Sequence, residues 1–150
     1  MNQLSNIKEL ALKGLISSKL IYAHEMGLDV FIDILEPIEH INMKTVDLSR
    51  VIGIYLDNAI EAALQTEEKE IKFNMVTSDT GVAIILMNSF HNQNIPISKL
   101  EQRGYSTKGE NRGMGLFNVK EVLCKYNNTY KVTEITDDYF IQKLEIMNAQ

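Results

Sequence analysis

The residues best suited to chemistry lie in GYSTKGENRGMGL, residues 104–116. The segment combines glycines, whose backbone can approach a ligand closely, with cationic and hydroxyl side chains that bind phosphate. A helix is predicted to begin within it, and the N–H groups at a helix start attract anions. The segment therefore predicts a polyphosphate-binding loop, with a glycine-rich surface loop as the alternative. The candidate residues are Ser106, Thr107, Lys108, Gly109, Arg112, Gly113 and Gly115.

Neither of two familiar phosphate-binding motifs explains this segment. It lacks the G-x-x-x-x-G-K-[ST] pattern of a P-loop, and no strand leads directly into it. The G-x-G-x-x-G pattern fails because residue 118 is Asn118.

A second candidate site is the segment YLDNAIEAA, within a predicted helix. Asn58 and Glu61 lie three residues apart, so they share a helix face. An asparagine oxygen is a suitable ligand for Mg²⁺ bound to phosphates, and asparagine is otherwise unfavourable inside a helix. The alternative is an ordinary solvated face.

A third candidate is Asn88, at the end of the apolar strand VAIILMN. Its amide is placed to hydrogen-bond the edge of a base, although an asparagine that ends a strand also commonly begins a turn.

The pattern of apolar residues predicts a single α+β domain over residues 1–150, with helices on one face of a sheet. The first helix carries two apolar stripes, one through Leu4, Ile7, Ala11 and Leu15 and one through Leu12, Ile16, Leu20 and Ala23. Gly27 is predicted to cap its C-terminus. The second helix is predicted to begin at Asp47 as N-cap, with a core stripe at Leu48, Ile52, Tyr55, Ala59 and Ala62.

The remaining elements are strands and one further helix. LDVFIDIL, KEIKFNMVTS and GVAIILMN are predicted strands, and NTYKVTEI and YFIQKLEIM a hairpin. A third helix is predicted over residues 113–126. The polar segment 89–111 between them is long for a loop, which indicates a functional role.

Composition narrows the class of protein. A net charge of -5 and a pI near 5.2 disfavour nucleic-acid binding. A single cysteine, Cys124, cannot form an internal disulfide, which indicates a reducing compartment. No apolar run is long enough to cross a bilayer, so no direct membrane contact is expected from these residues.

The order of these elements resembles the Bergerat (GHKL) ATP-binding fold: an asparagine-bearing helix, a strand ending in a polar residue, a long loop and a glycine-rich helix start. That fold is a two-layer sandwich with a mixed, mostly antiparallel sheet. LDNAIEAA followed by GYSTKGENRGMGL resembles, more narrowly, the catalytic domains of peptide-sensing histidine kinases in Gram-positive quorum-sensing systems, the accessory gene regulator sensors in particular.

The resemblance implies ATP and Mg²⁺ as cofactors and assigns roles to individual residues. Asn58 matches the asparagine that holds Mg²⁺, and Glu61 lies beside it among the ATP-binding residues. Asn88 falls where an acidic residue usually recognises adenine, although NSFHN lacks the glycines that follow it in the family. Residues 89–111 match the ATP lid, and Lys108 is the expected catalytic cation. The implied phosphate contacts are Ser106, Thr107, Lys108, Arg112, Gly113, Met114 and Gly115.

The implied function is γ-phosphoryl transfer to a histidine on separate dimerisation helices, within the cytoplasmic part of a membrane-anchored receptor that signals to a response regulator. The three histidines, His24, His40 and His91, lack the context of a phosphoacceptor, so the chain is expected to be a fragment without the sensor and dimerisation helices. Two alternatives stay open. An ATP-hydrolysing clamp is disfavoured because hydrolysing relatives have a glutamate where this chain has Ile54. The second alternative is a non-catalytic interaction module, which the missing glycines after Asn88 suggest.

Overall fold

A computed structural model describes residues 2–91 and 115–148 of the chain. Within these ranges it contains a short 3-10 helix, three α-helices and five strands. In chain order they are the 3-10 helix Asn2–Asn6, α1 Leu10–Glu25, β1 Asp29–Asp33, α2 Thr45–Leu64, β2 Glu70–Thr77, β3 Gly81–Ser89, α3 Gly115–Leu123, β4 Thr129–Ile135 and β5 Tyr139–Met147.

The strands form one mixed sheet in the order β1-β2-β3-β5-β4. β1 and β2 pair in parallel, and the other three pairs are antiparallel. Two tight connections, between β2 and β3 and between β4 and β5, account for most of the antiparallel pairing. The predicted α+β class and mostly antiparallel sheet are confirmed.

One face of the sheet is buried under the helices. Side chains alternate along each strand, so every second residue points to this face. The buried apolar residues of β2 and β3 are Ile71, Phe73, Met75, Val82, Ile84 and Leu86, and those of β5 include Leu144 and Ile146. The helices α1, α2 and α3 supply the opposite layer of this core. Most of the intervening strand residues keep partial or full exposure, which makes a two-layer sandwich.

The second predicted stripe of the first helix is confirmed, but the first stripe is wrong. Leu12, Ile16, Leu20 and Ala23 are all buried in α1. Leu4 and Ile7 are also buried, but they precede α1, and Ile7 pairs with Ile38 in an isolated bridge. Ala11 is exposed, because α1 begins only at Leu10 and buries a single face. Gly27 follows α1 with φ of +96°, as its capping role predicts.

The predicted N-cap of α2 is wrong. The helix begins at Thr45 after Lys44, and Asp47 lies in its first turn. The Asp47 carboxylate accepts hydrogen bonds from the Tyr126 hydroxyl and, at 3.2 Å, from Lys125 Nζ, just beyond α3. It is therefore a cross-helix contact rather than a cap. Of the predicted core stripe, Ala62 is only half-buried and its neighbour Ala63 is buried instead.

Within the described ranges, no helix is long and apolar enough to cross a membrane.

Candidate nucleotide-binding site

The structure brings Asn58 and Gly115 together, although they are far apart in sequence. Gly115 begins α3, which packs against α2. A Cβ placed on Gly115 would lie 3.3 Å from Nδ2 of Asn58, 3.6 Å from its Oδ1 and 3.3 Å from Cγ2 of Ile54. Any side chain there would press on the Asn58 amide. Glycine therefore relieves a tight contact at this helix start, because an asparagine occupies the facing turn.

The face of α2 next to Gly115 carries a distinct set of side chains. Ile54 and Asn58 lie four residues apart, hence on the same face, and Asn58 and Glu61 are half-buried. Asp57 lies elsewhere, because its carboxylate forms an ion pair with Lys19 of α1 at 2.7 Å. Of the two acidic residues that flank Asn58, only Glu61 shares its side of the helix.

Asn88 lies on the helix-covered face of the sheet, near the end of β3. It stands in register with Ile71 of β2 and Phe140 of β5. The side chain is only 3% exposed, and its Nδ2 donates to the carbonyl oxygen of Ser89 at 2.9 Å. Within residues 2–91 and 115–148, Oδ1 has no hydrogen-bond partner. The amide is thus held through its donor half, while its acceptor half is available to a ligand.

Two buried hydroxyl groups support the strand at this point. Thr66 follows the end of α2. Ser89 was predicted to begin the loop, but it is the last residue of β3. Their hydroxyl oxygens are 2.7 Å apart, and the two residues are 3% and 0% exposed. Sequence reasoning missed both residues, because a contact between residues 23 positions apart depends on how α2 packs on β3.

An aromatic pair adjoins Asn88. Phe90 and Phe140 meet edge to face, with ring centroids 5.4 Å apart, and both rings are partly exposed. Cross-strand partners on one face lie about 5 Å apart at Cβ, so Phe140 is an immediate neighbour of the Asn88 amide. An aromatic ring beside a hydrogen-bonding amide suits a planar base. In the sequence, the only sign of this pair was that Phe90 follows the predicted strand VAIILMN and Phe140 lies in the predicted hairpin.

The two helices that frame the site are also joined at their far ends. Asp47, in the first turn of α2, bonds Tyr126 and Lys125 beyond the end of α3. The Tyr126 hydrogen bond, followed by the charge of Lys125, lowers the pKa of the Asp47 carboxyl. Partial burial and the Asp47 contact raise the pKa of Tyr126. This contact fixes α3 against α2, and hence Gly115 against Asn58.

The other predicted phosphate contacts lie outside the described residues. They are Ser106, Thr107, Lys108, Arg112, Gly113 and Met114, together with residues 92–111 of the predicted lid. All three histidines are exposed on the surface. His91 contacts the carbonyl of Gln65.

The described residues fit a magnesium nucleotide. Amide and carboxylate oxygens from Asn58 and Glu61 are the hard donors that Mg²⁺ prefers. The start of α3 at Gly115 lies directly against that amide, and Oδ1 of Asn88 is an acceptor of the kind that the amino group of a base needs. A two-layer sandwich with this order of elements defines the class of Bergerat-type ATP-binding domains.

Comparison with known proteins then identifies the family. The GHKL domain model matches residues 43–147, and the chain belongs to this family. The chain is 34% identical over 123 residues to the sensor protein CitS of Bacillus subtilis, a match that covers 77% of this chain and 22% of CitS. The chain thus spans about a fifth of that relative's length.

Solved structures of histidine kinases share the fold. The catalytic domain of ThkA has a TM-score of 0.75 at 19% identity, covering 91% of this chain and 89% of that one. Full-length ShkA in complex with AMPPNP has a TM-score of 0.67 at 14% identity, covering 93% of this chain and 30% of that one.

Proposed function

We propose that this chain is the catalytic domain of a sensor histidine kinase, which binds Mg-ATP and transfers the γ-phosphoryl group to a histidine on separate dimerisation helices. The observation that supports the proposal most directly is the position of Gly115, at the start of α3, where an added Cβ would stand 3.3 Å from the Asn58 amide. A glycine at the start of α3 lets the N–H groups of that helix start come close to a metal-binding amide, so that both can act on one bound phosphate. Membership in the GHKL family and the likeness to ThkA support the same assignment.

The residues divide the work between positioning and electrostatics. Bound Mg²⁺ would supply the charge that neutralises the phosphate oxygens, with Asn58 and Glu61 as its protein contacts. The N–H groups at the start of α3 would bind phosphate, and Asn88 Oδ1 would accept a hydrogen bond from the amino group of adenine. Lys108 and Arg112 are proposed as further phosphate contacts. The acceptor histidine is itself the nucleophile, so the domain needs no general base.

The presence of Ile54 favours transfer to histidine over hydrolysis. Hydrolysis requires a group that orients and deprotonates water. Ile54 lies one turn before Asn58, and its Cγ2 borders the space at Gly115. An apolar side chain at that place cannot accept a proton from water, so a bound nucleotide would persist until an acceptor histidine arrives.

The cellular setting is a further part of the proposal. The resemblance of LDNAIEAA and GYSTKGENRGMGL to accessory gene regulator sensors supports a peptide-sensing quorum receptor, anchored in the membrane and signalling to a response regulator. CitS, the relative that matches over most of this chain, is called a sensor protein.

The test mixes the chain with Mg-ATP labelled at the γ-phosphate and separately produced dimerisation helices of its own receptor. We expect acid-labile, base-stable label on the helices. Titration of Mg-ADP into the chain gives an independent reading. Binding without transfer would leave the chain as a nucleotide-regulated interaction module, and no binding at millimolar nucleotide would overturn the proposal.

A further inference from the structure

The buried hydroxyl groups of Thr66 and Ser89 carry an inference about base selectivity. Thr66 Oγ1 donates to the carbonyl of Ala63 at 2.7 Å, which uses its only proton. The Ser89 hydroxyl must therefore donate across the 2.7 Å contact to Thr66 Oγ1. Thr66 also accepts from the N–H of Lys69, and Ser89 from the N–H of Glu70, each at 3.0 Å. The Ser89 hydroxyl also lies 3.4 Å from the carbonyl of Glu70, a much longer contact than the 2.7 Å one to Thr66, so the shortest hydrogen bonds run from Ser89 through Thr66 to Ala63.

This network fixes the residue whose carbonyl binds Asn88. The Ser89 side chain is held by Thr66 and Glu70, and the next peptide N–H, of Phe90, donates to the carbonyl of Asp138 at 2.9 Å. A peptide unit is planar, with its N–H and C=O pointing in opposite directions. Anchoring the Phe90 N–H on Asp138, directly before β5, therefore points the Ser89 carbonyl away from that strand, where it meets Nδ2 of Asn88.

A fixed carbonyl determines which half of the amide faces a ligand. Only the NH2 half of an asparagine can donate to a carbonyl oxygen, so Nδ2 must lie at Ser89 and Oδ1 must point the other way. A side-chain amide that is not held can rotate and exchange the two halves. An aspartate in the same place would need no such restraint, because both of its oxygens accept.

We infer that Thr66 and Ser89 are positioning residues, which lock the Asn88 amide so that it accepts from a 6-amino purine and rejects a 6-oxo purine. The inference rests on the proposed nucleotide binding. A 6-oxo base presents an acceptor to Oδ1, which leaves two acceptors facing each other and neither satisfied. Releasing the lock lets NH2 turn toward the oxo group and removes the discrimination.

The experiment compares the dissociation constants of Mg-ADP and Mg-IDP for the chain and its variants by calorimetry. The unaltered chain is expected to prefer Mg-ADP by about tenfold, and Thr66→Val to reduce that preference by about fivefold, the value of one hydrogen bond. Thr66→Ser keeps the hydroxyl and should restore the preference. Ser89→Ala removes the other hydroxyl and carries the same expectation as Thr66→Val, should the latter not fold.

Thr133→Val is the matched control. The Thr133 hydroxyl donates to Oε1 of Gln142 at 2.6 Å, between β4 and β5, so this change also deletes one threonine hydrogen bond inside the sheet. Its thermal stability should fall, but its preference for Mg-ADP should not change.

A double variant separates orientation from general loosening. In the Asn88→Asp background, Thr66→Val should leave the preference for Mg-ADP unchanged, since a carboxylate has no donor half to expose. An equal drop in both backgrounds would overturn the inference, as would an unchanged preference in Thr66→Val with Mg-ADP still bound. Failure of the unaltered chain to bind either nucleotide would instead overturn the proposed function, and this inference with it.

Discussion

The two asparagines of the site are built in different ways. Asn88 is almost fully buried, and its amide is held by a backbone carbonyl that belongs to the sheet. Asn58 is half-buried on a helix, and its surroundings depend on the missing side chain at Gly115. The base end should therefore fail when polar atoms are removed or altered, whereas the phosphate end should fail when atoms are added.

Gly115→Val should have the largest effect. The added Cβ would lie 3.3 Å from the Asn58 amide and from Ile54, and valine adds two methyl groups beyond it. Overpacking of this kind costs about 3 kcal/mol at the upper end, which we expect to appear as lost Mg-ATP affinity and lost phosphotransfer. Calorimetry and the transfer assay measure the two losses.

Gly53→Ala is the control for this change. It also adds a methyl group to α2, but its Cβ would meet Leu15 at an ordinary 3.7 Å. Replacing a helical glycine with alanine should stabilise the chain by up to about 1 kcal/mol and leave binding unchanged. If Gly53→Ala impaired nucleotide binding as much as Gly115→Val, the special position of Gly115 would be refuted.

Asn58→Ala should come next, with a loss of about 2 kcal/mol in Mg-dependent nucleotide affinity, as for hydrogen bonds to charged groups. Asn58 is only half-buried and is not among the buried core residues of α2, so thermal stability should change little. Titrations with and without Mg²⁺ isolate the metal-dependent part. A fall in melting temperature that matches the loss of affinity would make Asn58 a structural residue.

Asn88→Asp tests the base end. The carboxylate loses the donor that binds the Ser89 carbonyl, so the free energy of unfolding should fall by about 1–2 kcal/mol at pH 7. Burial raises the pKa of such a carboxyl in the folded state, so the folded chain binds more protons than the unfolded chain. The loss should therefore shrink as the pH falls from 7 to 5. Urea unfolding at both pH values measures it, and an equal loss at both would argue against a buried carboxylate.

Asp47→Asn should have the smallest effect, at the contact that joins the far ends of α2 and α3. The pKa of Asp47 is lowered in the folded state, chiefly by the Tyr126 hydroxyl. Its contribution is therefore present above the unfolded pKa, near 3.9, and is lost as the pH falls through the folded value. The variant should melt slightly below the original chain at pH 7, and the two should converge in strong acid. A constant difference across the pH range would exclude the carboxylate charge as its cause.

The fold was largely predictable because the local periodicity of apolar residues predicts strands and helices. The alternation in β2 and β3 and the stripe through Leu12, Ile16, Leu20 and Ala23 each follow from neighbouring residues. The stripe through Leu4 and Ile7 misled because apolar spacing does not reveal where a helix begins. Asp47 misled in the same way, since its partner Tyr126 is 79 residues away.

The site was only partly predictable. Asn58, Asn88 and Gly115 were predicted from their residue chemistry and from a family resemblance, and the structure adds the close approach of Gly115 to Asn58. Thr66 and Ser89 could not be found, because hydroxyl residues at the ends of elements are common and their pairing depends on how α2 packs against the sheet. The register that places Phe140 beside Asn88 likewise exists only once β3 and β5 have paired.

In the proposed site, the continuity of α2 sets the distance between the two ends of a bound nucleotide. One uninterrupted helix carries Asn58 and ends at Leu64, just before Thr66. The six steps from Asn58 to Leu64, at 1.5 Å per residue, set an axial distance of about 9 Å. This distance separates the proposed phosphate contact at Asn58 from the end of the helix, next to Thr66. Inserting one residue between them would lengthen this distance by about 1.5 Å and turn Asn58 by about 100° away from Gly115. In the proposed site, the length of α2 thus matters as much as any single side chain.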